Sequence, residues 1–223
     1  MNILESPNRD YKRWADKKLA RFSNKIDNLI VEINNPDSLR KAEKECMYKI
    51  INQHNIVFFQ IDKKVNDLKA SIKSFGDQLG LGNYEVDSKS DEDCLTEIKI
   101  HDKSKSNTEY IPYTDKKLNW HTDGYYNDDK NLILSWTLFR KTQYENGGIN
   151  KYMDHEIAYI LFNEAYNNIE DLMLYNTYTI PENELTQRKS VDNSIFSFVD
   201  NKLHMKFSMR ERNIIWNNKK KKE

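Results

Sequence analysis

Apolar residues recur three and four apart through "SLRKAEKECMYKIINQHN" (38–55), at Leu39, Ala42, Cys46, Met47, Ile50 and Ile51. That spacing lays them on one stripe and predicts a helix, with Asp37 or Ser38 as its cap. Trp14, Leu19 and Phe22 in "YKRWADKKLARF" have near-helical spacing and predict an earlier helix. Between them, "IDNLIVEI" (26–33) reads as a strand closed by the turn residues "NNPDS". "IVFFQI" (56–61) predicts a buried strand by its β-branched and aromatic content, and "KKVNDLKASIKSFGDQLGLG" (63–82) a helix that runs into glycines.

Beyond the polar "DSKSDED", the period changes. "LTEIKI" (95–100), "KLNWHTD" (117–123), "LILSWTLF" (132–139), "NTYTI" (176–180) and "SIFSFVDNKLHMKFS" (194–208) read as strands. In the last, Leu203, Met205 and Phe207 alternate with His204, Lys206 and Ser208 around an Asp200-Asn201 turn, which predicts a hairpin. Only "HEIAYILFNEAYNN" (155–168) interrupts with a helical pattern. Helices first and mostly strands afterwards give an α+β class with a β-sandwich or barrel-like core. No internal repeat or Gly/Ser linker divides the chain, so residues 1–223 are expected to form a single domain.

Charge narrows the function classes. Lys plus Arg and Asp plus Glu balance at 35 each, so no global field draws the chain to nucleic acid or to an anionic membrane. The one basic block is Lys219 to Lys222. No apolar run approaches a membrane span and "MNILESPNRD" has no signal-peptide pattern, which leads to the expectation of a cytoplasmic protein. Cys46 and Cys94 lack CxxC spacing, and Cys46 falls on the predicted apolar stripe; a disulfide or zinc framework is not expected.

The candidate chemistry sits in "LNWHTDGYYND" (118–128). Side chains alternate along a strand, so residues two apart share a face, and His121 and Asp123 would point the same way with Thr122 opposite. Imidazole plus carboxylate suits a divalent ion such as Fe(II) when another histidine completes the face. By itself an HxD pair is a weak signal that surface turns also produce.

Its setting makes it more specific. "YIPYTDKKLNWHTDGYYN" (110–127), "GGINKYMDHEIAYI" (147–160) and "LHMKFSMRERNIIW" (203–216) resemble, in the same order, segments of TauD/TfdA-type Fe(II)- and 2-oxoglutarate-dependent dioxygenases. The segments "YKRWADKKL" and "SDEDCLTEIKI" fit the same branch. The resemblance implies a double-stranded β-helix core of jelly-roll or cupin type behind N-terminal helices. It also implies His121 and Asp123 as the first two iron ligands, and 2-oxoglutarate as co-substrate. The implied activity hydroxylates a C–H bond of a small molecule with O2, while 2-oxoglutarate is decarboxylated to succinate. Asn150, directly after "GGI", stands where relatives place a hydroxyl-bearing residue that touches the 2-oxoglutarate carboxylate; an amide can donate there. Tyr125 and Tyr126 are read either as lining the substrate mouth or as barrel packing.

In that family the distal histidine ligand and the arginine that binds 2-oxoglutarate follow the "RERNIIW"-like segment. The chain is therefore expected to lack the last strands of the barrel, and its activity to be poor or absent unless a homo-oligomer or a complementing C-terminal fragment supplies them. His204 with Arg210 or Arg212 mimics the missing pair at a shorter spacing. His155 reads as a helix cap or polar neighbour, and His54 and His101 have no support as ligands. The alternative reading is a non-catalytic remnant, or a partner subunit of a split dioxygenase.

Overall fold

A computed structural model of the chain describes residues 9–22, 25–62, 64–84, 91–99, 111–114, 116–127, 135, 137–139, 149–166, 169–174, 176–184, 187–210 and 214–217. It is a mixed α+β structure of helices and small sheets, and among the described residues no sheet closes into a barrel. Its residues cluster in two compact units. The first comprises Met1–Asn83, Ser135–Ile169 and Phe198–His204; the second comprises Tyr84–Leu134, Glu170–Ser197 and Met205–Glu223.

In the first unit, helix α1 (Arg9–Arg21) is followed by strand β1 (Ile30–Ile33), helix α2 (Lys41–His54), strand β2 (Phe58–Ile61) and helix α3 (Leu68–Gln78). β1 and β2 pair in parallel, Ile30 opposite Phe58 through Ile33 opposite Ile61, with α2 as the crossover that a parallel pair needs. Val31, Ile33, Leu39, Met47 and Phe75 make the buried core, with Phe59, Ile61 and Phe139 packed against it. The rings of Phe59, Phe75 and Phe139 lie 4.7 to 5.4 Å apart in tilted and edge-on contacts, the geometry their quadrupoles favour.

The start of α2 differs from the sequence expectation. Its N-cap is Arg40, whose side chain cannot accept a backbone hydrogen, so neither Asp37 nor Ser38 caps it. Glu43 takes over. Its carboxylate accepts the Arg40 amide at 2.6 Å and the Asn34 amide at 2.9 Å. The bond from Asn34 holds its pKa below the usual carboxylate value; burial opposes this, while the Arg40 amide and guanidinium add to the lowering. Asp37 instead accepts from the Ser71 hydroxyl, and Gln78 bonds Leu39 and Pro36, so α3 holds the loop that precedes α2.

The predicted stripe is also narrower than expected: Met47 is buried and Ile50 half-buried, but Ala42 and Cys46 face solvent. "IDNLIVEI" is a strand only in its second half, since Ile26–Leu29 form a 3-10 turn, and β2 is half-buried rather than buried. On α1, Leu19 is exposed, as is Phe22 just after it, while Ala15 and Lys18 are buried. Tyr11 and Trp14 pack edge-on against Tyr159 of helix α4 (His155–Ala165), and burial raises the Tyr11 phenol pKa. Lys18 bonds the Gln53 carbonyl at 3.0 Å, Asp154 at 2.7 Å, and Glu156. A buried ammonium between two carboxylates thus joins α1 to the ends of α2 and α4.

In the second unit, strands β3 (Tyr178–Ile180), β4 (Val191–Asn193) and β7 (Ile215–Trp216) form an antiparallel sheet with β3 at its centre. Tyr178 pairs with Asn193 on one side and Trp216 on the other. Its ring is fully buried, and its hydroxyl donates to the Lys206 carbonyl at 3.1 Å. Strands β5 (Phe196–Val199) and β6 (Lys202–Met205), of which Phe198–His204 belong to the first unit, form the predicted hairpin. Asp200 and Asn201, at φ 50° and 61°, make the left-handed turn such a two-residue loop requires.

The remaining strand expectations fare unevenly. "NTYTI" contains β3. Residues 95–99 carry no strand, and "KLNWHTD" holds one isolated bridge at His121. Half of "LILSWTLF" lies outside the described residues, and its described residues, 135 and 137–139, carry no strand. The alternation after Leu203 does not separate inside from outside, because Lys206 and Ser208 are buried. Among the described residues, no helix is long and apolar enough to cross a membrane.

Candidate metal-binding turn

The HTD segment is held by residues 207–209 of the same unit. The Thr122 amide donates to the Phe207 carbonyl at 2.8 Å, and the Met209 amide to the Trp120 carbonyl at 2.9 Å. The Phe207 amide in turn reaches the Thr122 hydroxyl at 3.0 Å. His121 thereby stands opposite Ser208 in an antiparallel bridge. Extended backbone ends there. Asp123 opens a turn through Gly124, buried and at φ 65°, and the Asn127 amide closes it on the Gly124 carbonyl at 2.8 Å. A side chain is strained at that φ, so glycine is what the turn requires.

The two side chains nevertheless meet. His121 Nε2 lies 3.7 Å from Asp123 Oδ1, with the side chains 31% and 47% exposed. On the far side of the ring, Nδ1 is 2.8 Å from the Asn119 carbonyl. A carbonyl only accepts, so Nδ1 carries the hydrogen, and in the neutral ring Nε2 presents its lone pair towards Asp123. Two acceptors that face each other across 3.7 Å are too far apart for a hydrogen bond, and a cation between them relieves their repulsion. Ligand atoms each about 2.1 Å from one ion stand roughly 3.0 Å apart at a right angle and about 3.4 Å apart at the tetrahedral angle. The observed pair needs only a small closure to share an ion.

The turn is supported from beneath. Asn193 Nδ2 donates to the Tyr125 carbonyl at 3.3 Å, and the Lys206 ammonium reaches both Asn193 Oδ1 and the Asn127 carbonyl. Tyr125 and Tyr126, half-buried, pack edge-on at 5.3 Å, and the Arg188 guanidinium lies 5.7 Å from the centre of the Tyr126 ring. Sequence reading did not single out Asn119, Asn193, Lys206 or Arg188. Asn119 was open to inference, since a histidine ligand needs an acceptor for its second nitrogen. Lys206 gives no such signal, because the acceptors that hold it are distant in the chain.

Asn150 is exposed and belongs to the first unit, as does the half-buried His204. His155 begins α4, and its Nε2 donates to the Leu203 carbonyl at 2.9 Å, which fits its reading as a polar neighbour. The Arg210 amide bonds the Ser208 hydroxyl, while His101 and Arg212 lie outside the described residues. Among the described residues, no three His, Cys, Asp or Glu side chains gather in one metal-binding group. An open cleft of about 370 Å³, lined by Asn35, Pro36, Lys64, Asp67 and Ser71 among others, contains none of the site residues read from the sequence.

No family model, curated protein or solved structure matches the chain.

Proposed function

We propose that His121 and Asp123 are two ligands of a ferrous site, and that the protein is by descent an Fe(II)- and 2-oxoglutarate-dependent dioxygenase of a small molecule. The observation that carries this reading is the Asn119–His121–Asp123 arrangement: one ring nitrogen is tied to a carbonyl, and the other faces a carboxylate oxygen at 3.7 Å. Its second support is the ordered resemblance of the segments around 110–127, 147–160 and 203–216 to TauD/TfdA-type enzymes.

Each residue has a distinct part. His121 offers a neutral nitrogen held in one tautomer, and Asp123 offers a negative oxygen that offsets the charge of the ion. The backbone bonds of Thr122 to Phe207 fix the segment between them. Asn150 is proposed as a donor to a 2-oxoglutarate carboxylate. When bound, ferrous iron and 2-oxoglutarate would, with O2 as oxidant, supply the chemistry that puts one oxygen atom into a C–H bond and the other into succinate, with release of carbon dioxide. The double-stranded β-helix core and a cytoplasmic setting belong to the same proposal; the antiparallel strands β3, β4 and β7 and the β5–β6 hairpin are compatible with such a core.

A second reading is a non-catalytic protein, or one subunit of a split enzyme, that keeps the pair as an incomplete site. It is favoured by the lack, among the described residues, of a third donor beside the pair. Anaerobic Fe(II) titration with and without 2-oxoglutarate separates the two readings. A weak visible charge-transfer band that disappears in His121→Ala supports the dioxygenase; a folded protein with no band supports the incomplete site.

A further inference from the structure

A buried lysine in the second unit invites a different question from the site above it. Lys206 is 3% exposed, and its ammonium bonds the Asn193 side-chain carbonyl and the Asn127 backbone carbonyl. Removing an ammonium from water costs several kcal/mol in effective terms, offset only where its hydrogens are accepted. Both of these acceptors lead to one turn. Asn127 ends the turn that Asp123 begins, and Asn193, which Lys206 orients through Oδ1, donates from Nδ2 to the Tyr125 carbonyl of that same turn.

The main chain of the lysine is anchored as firmly as its head. Its amide donates to the Ile195 carbonyl at 2.8 Å, and its carbonyl accepts the buried Tyr178 hydroxyl. The next residues, Phe207 to Met209, hold Trp120 to Thr122. One short segment therefore grips the HTD run at both ends: backbone before Asp123, side chain after it. With Gly124 between them at a left-handed φ, the direction of the Asp123 carboxylate follows from where these two grips hold the chain.

We infer that Lys206, working through Asn193, is a positioning residue that sets the angle between the His121 and Asp123 side chains. This rests on the metal-site reading above. Outer partners that orient ligands commonly govern metal affinity by about 10–100-fold when removed.

The test is a titration of the whole protein with Co(II) alone, followed by the visible d–d absorption of the bound ion, with circular dichroism on every variant. Wild type is expected to bind and His121→Ala to lose the response. Lys206→Met is expected to weaken Co(II) binding about tenfold or more. Lys206→Arg, which keeps the donors, is expected to restore most of it. Hydrogen exchange at the Asn127 amide without metal should accelerate in Lys206→Met and return in Lys206→Arg.

If Lys206→Met does not fold, Asn193→Asp serves instead: it keeps the acceptor for Lys206 and removes the donor to Tyr125. Wild-type affinity in a folded Lys206→Met, or in Asn193→Asp, overturns the inference and leaves the metal reading intact. Equal Co(II) responses in wild type and His121→Ala, or none in wild type, overturn both.

Discussion

The Nδ1 hydrogen of His121 is taken by the carbonyl of Asn119, two residues before it, at 2.8 Å. The ring is thus oriented by its own segment, and the nitrogen left with a lone pair faces Asp123. A main-chain acceptor cannot be removed by a side-chain change, so substituting Asn119 with Ala should leave Co(II) affinity within about threefold of wild type. Asp123→Asn, which keeps the shape and removes the charge, should weaken binding by about tenfold or more. A Co(II) titration of both variants checks the contrast; equal losses would mean that the affinity does not come from this geometry.

Gly124 joins the two halves of the turn at φ 65° while buried. Gly124→Ala is expected to destabilise by about 1–2 kcal/mol, because a Cβ is disfavoured in the left-handed region. Thermal unfolding followed by near-ultraviolet circular dichroism gives the shift. An unchanged midpoint would indicate that the turn relaxes to another conformation.

Glu43 links stability to pH. Its folded pKa is lowered, first by the Asn34 amide, so its contribution is present above the unfolded value and is lost as pH falls through the folded one. At neutral pH, Glu43→Gln should cost about 1–2 kcal/mol through weaker bonds to Asn34 and Arg40. The gap between wild type and variant should narrow under acid. Thermal midpoints at neutral pH and below pH about 4 test this, and a constant gap would count against the linkage.

Lys18 lies between Asp154 and Glu156, with the Lys18 and Asp154 side chains 8% and 7% exposed. Lys18→Met should destabilise by about 3–5 kcal/mol, because it leaves the buried Asp154 and the partly exposed Glu156 without their cation. The triple variant Lys18→Met, Asp154→Asn, Glu156→Gln should recover part of that loss. Chemical unfolding of the three proteins gives the comparison; a triple variant as unstable as the single one would show that lost packing, not lost charge, sets the cost.

Local pattern carried most of the helices. α2, α3 and α4 follow from apolar spacing and flanking polar residues, and the Asp200-Asn201 hairpin from a pair suited to left-handed φ. What escaped was set by distant partners. Glu43 caps α2 because Asn34 and Arg40 amides come to it, not because of a Ser or Asp at the start. Lys206 is buried because Asn193 and the 125–127 turn supply acceptors, which no two-residue period encodes. His121 and Asp123 were brought together as the sequence suggested, but by a bridge and a turn in place of a continuous strand. Asn150 and His204, by contrast, belong to the unit that does not contain the HTD turn.

The Thr122–Phe207 pairing has a consequence in time. Its partners are 85 residues apart in the chain, so the segment between His121 and Asp123 has no backbone template until that long loop has closed. During synthesis the ribosome delivers the histidine and the aspartate long before Phe207 emerges. Hairpin and helices form from neighbours and can appear early; this turn depends on a non-local contact and matures with the last part of its unit.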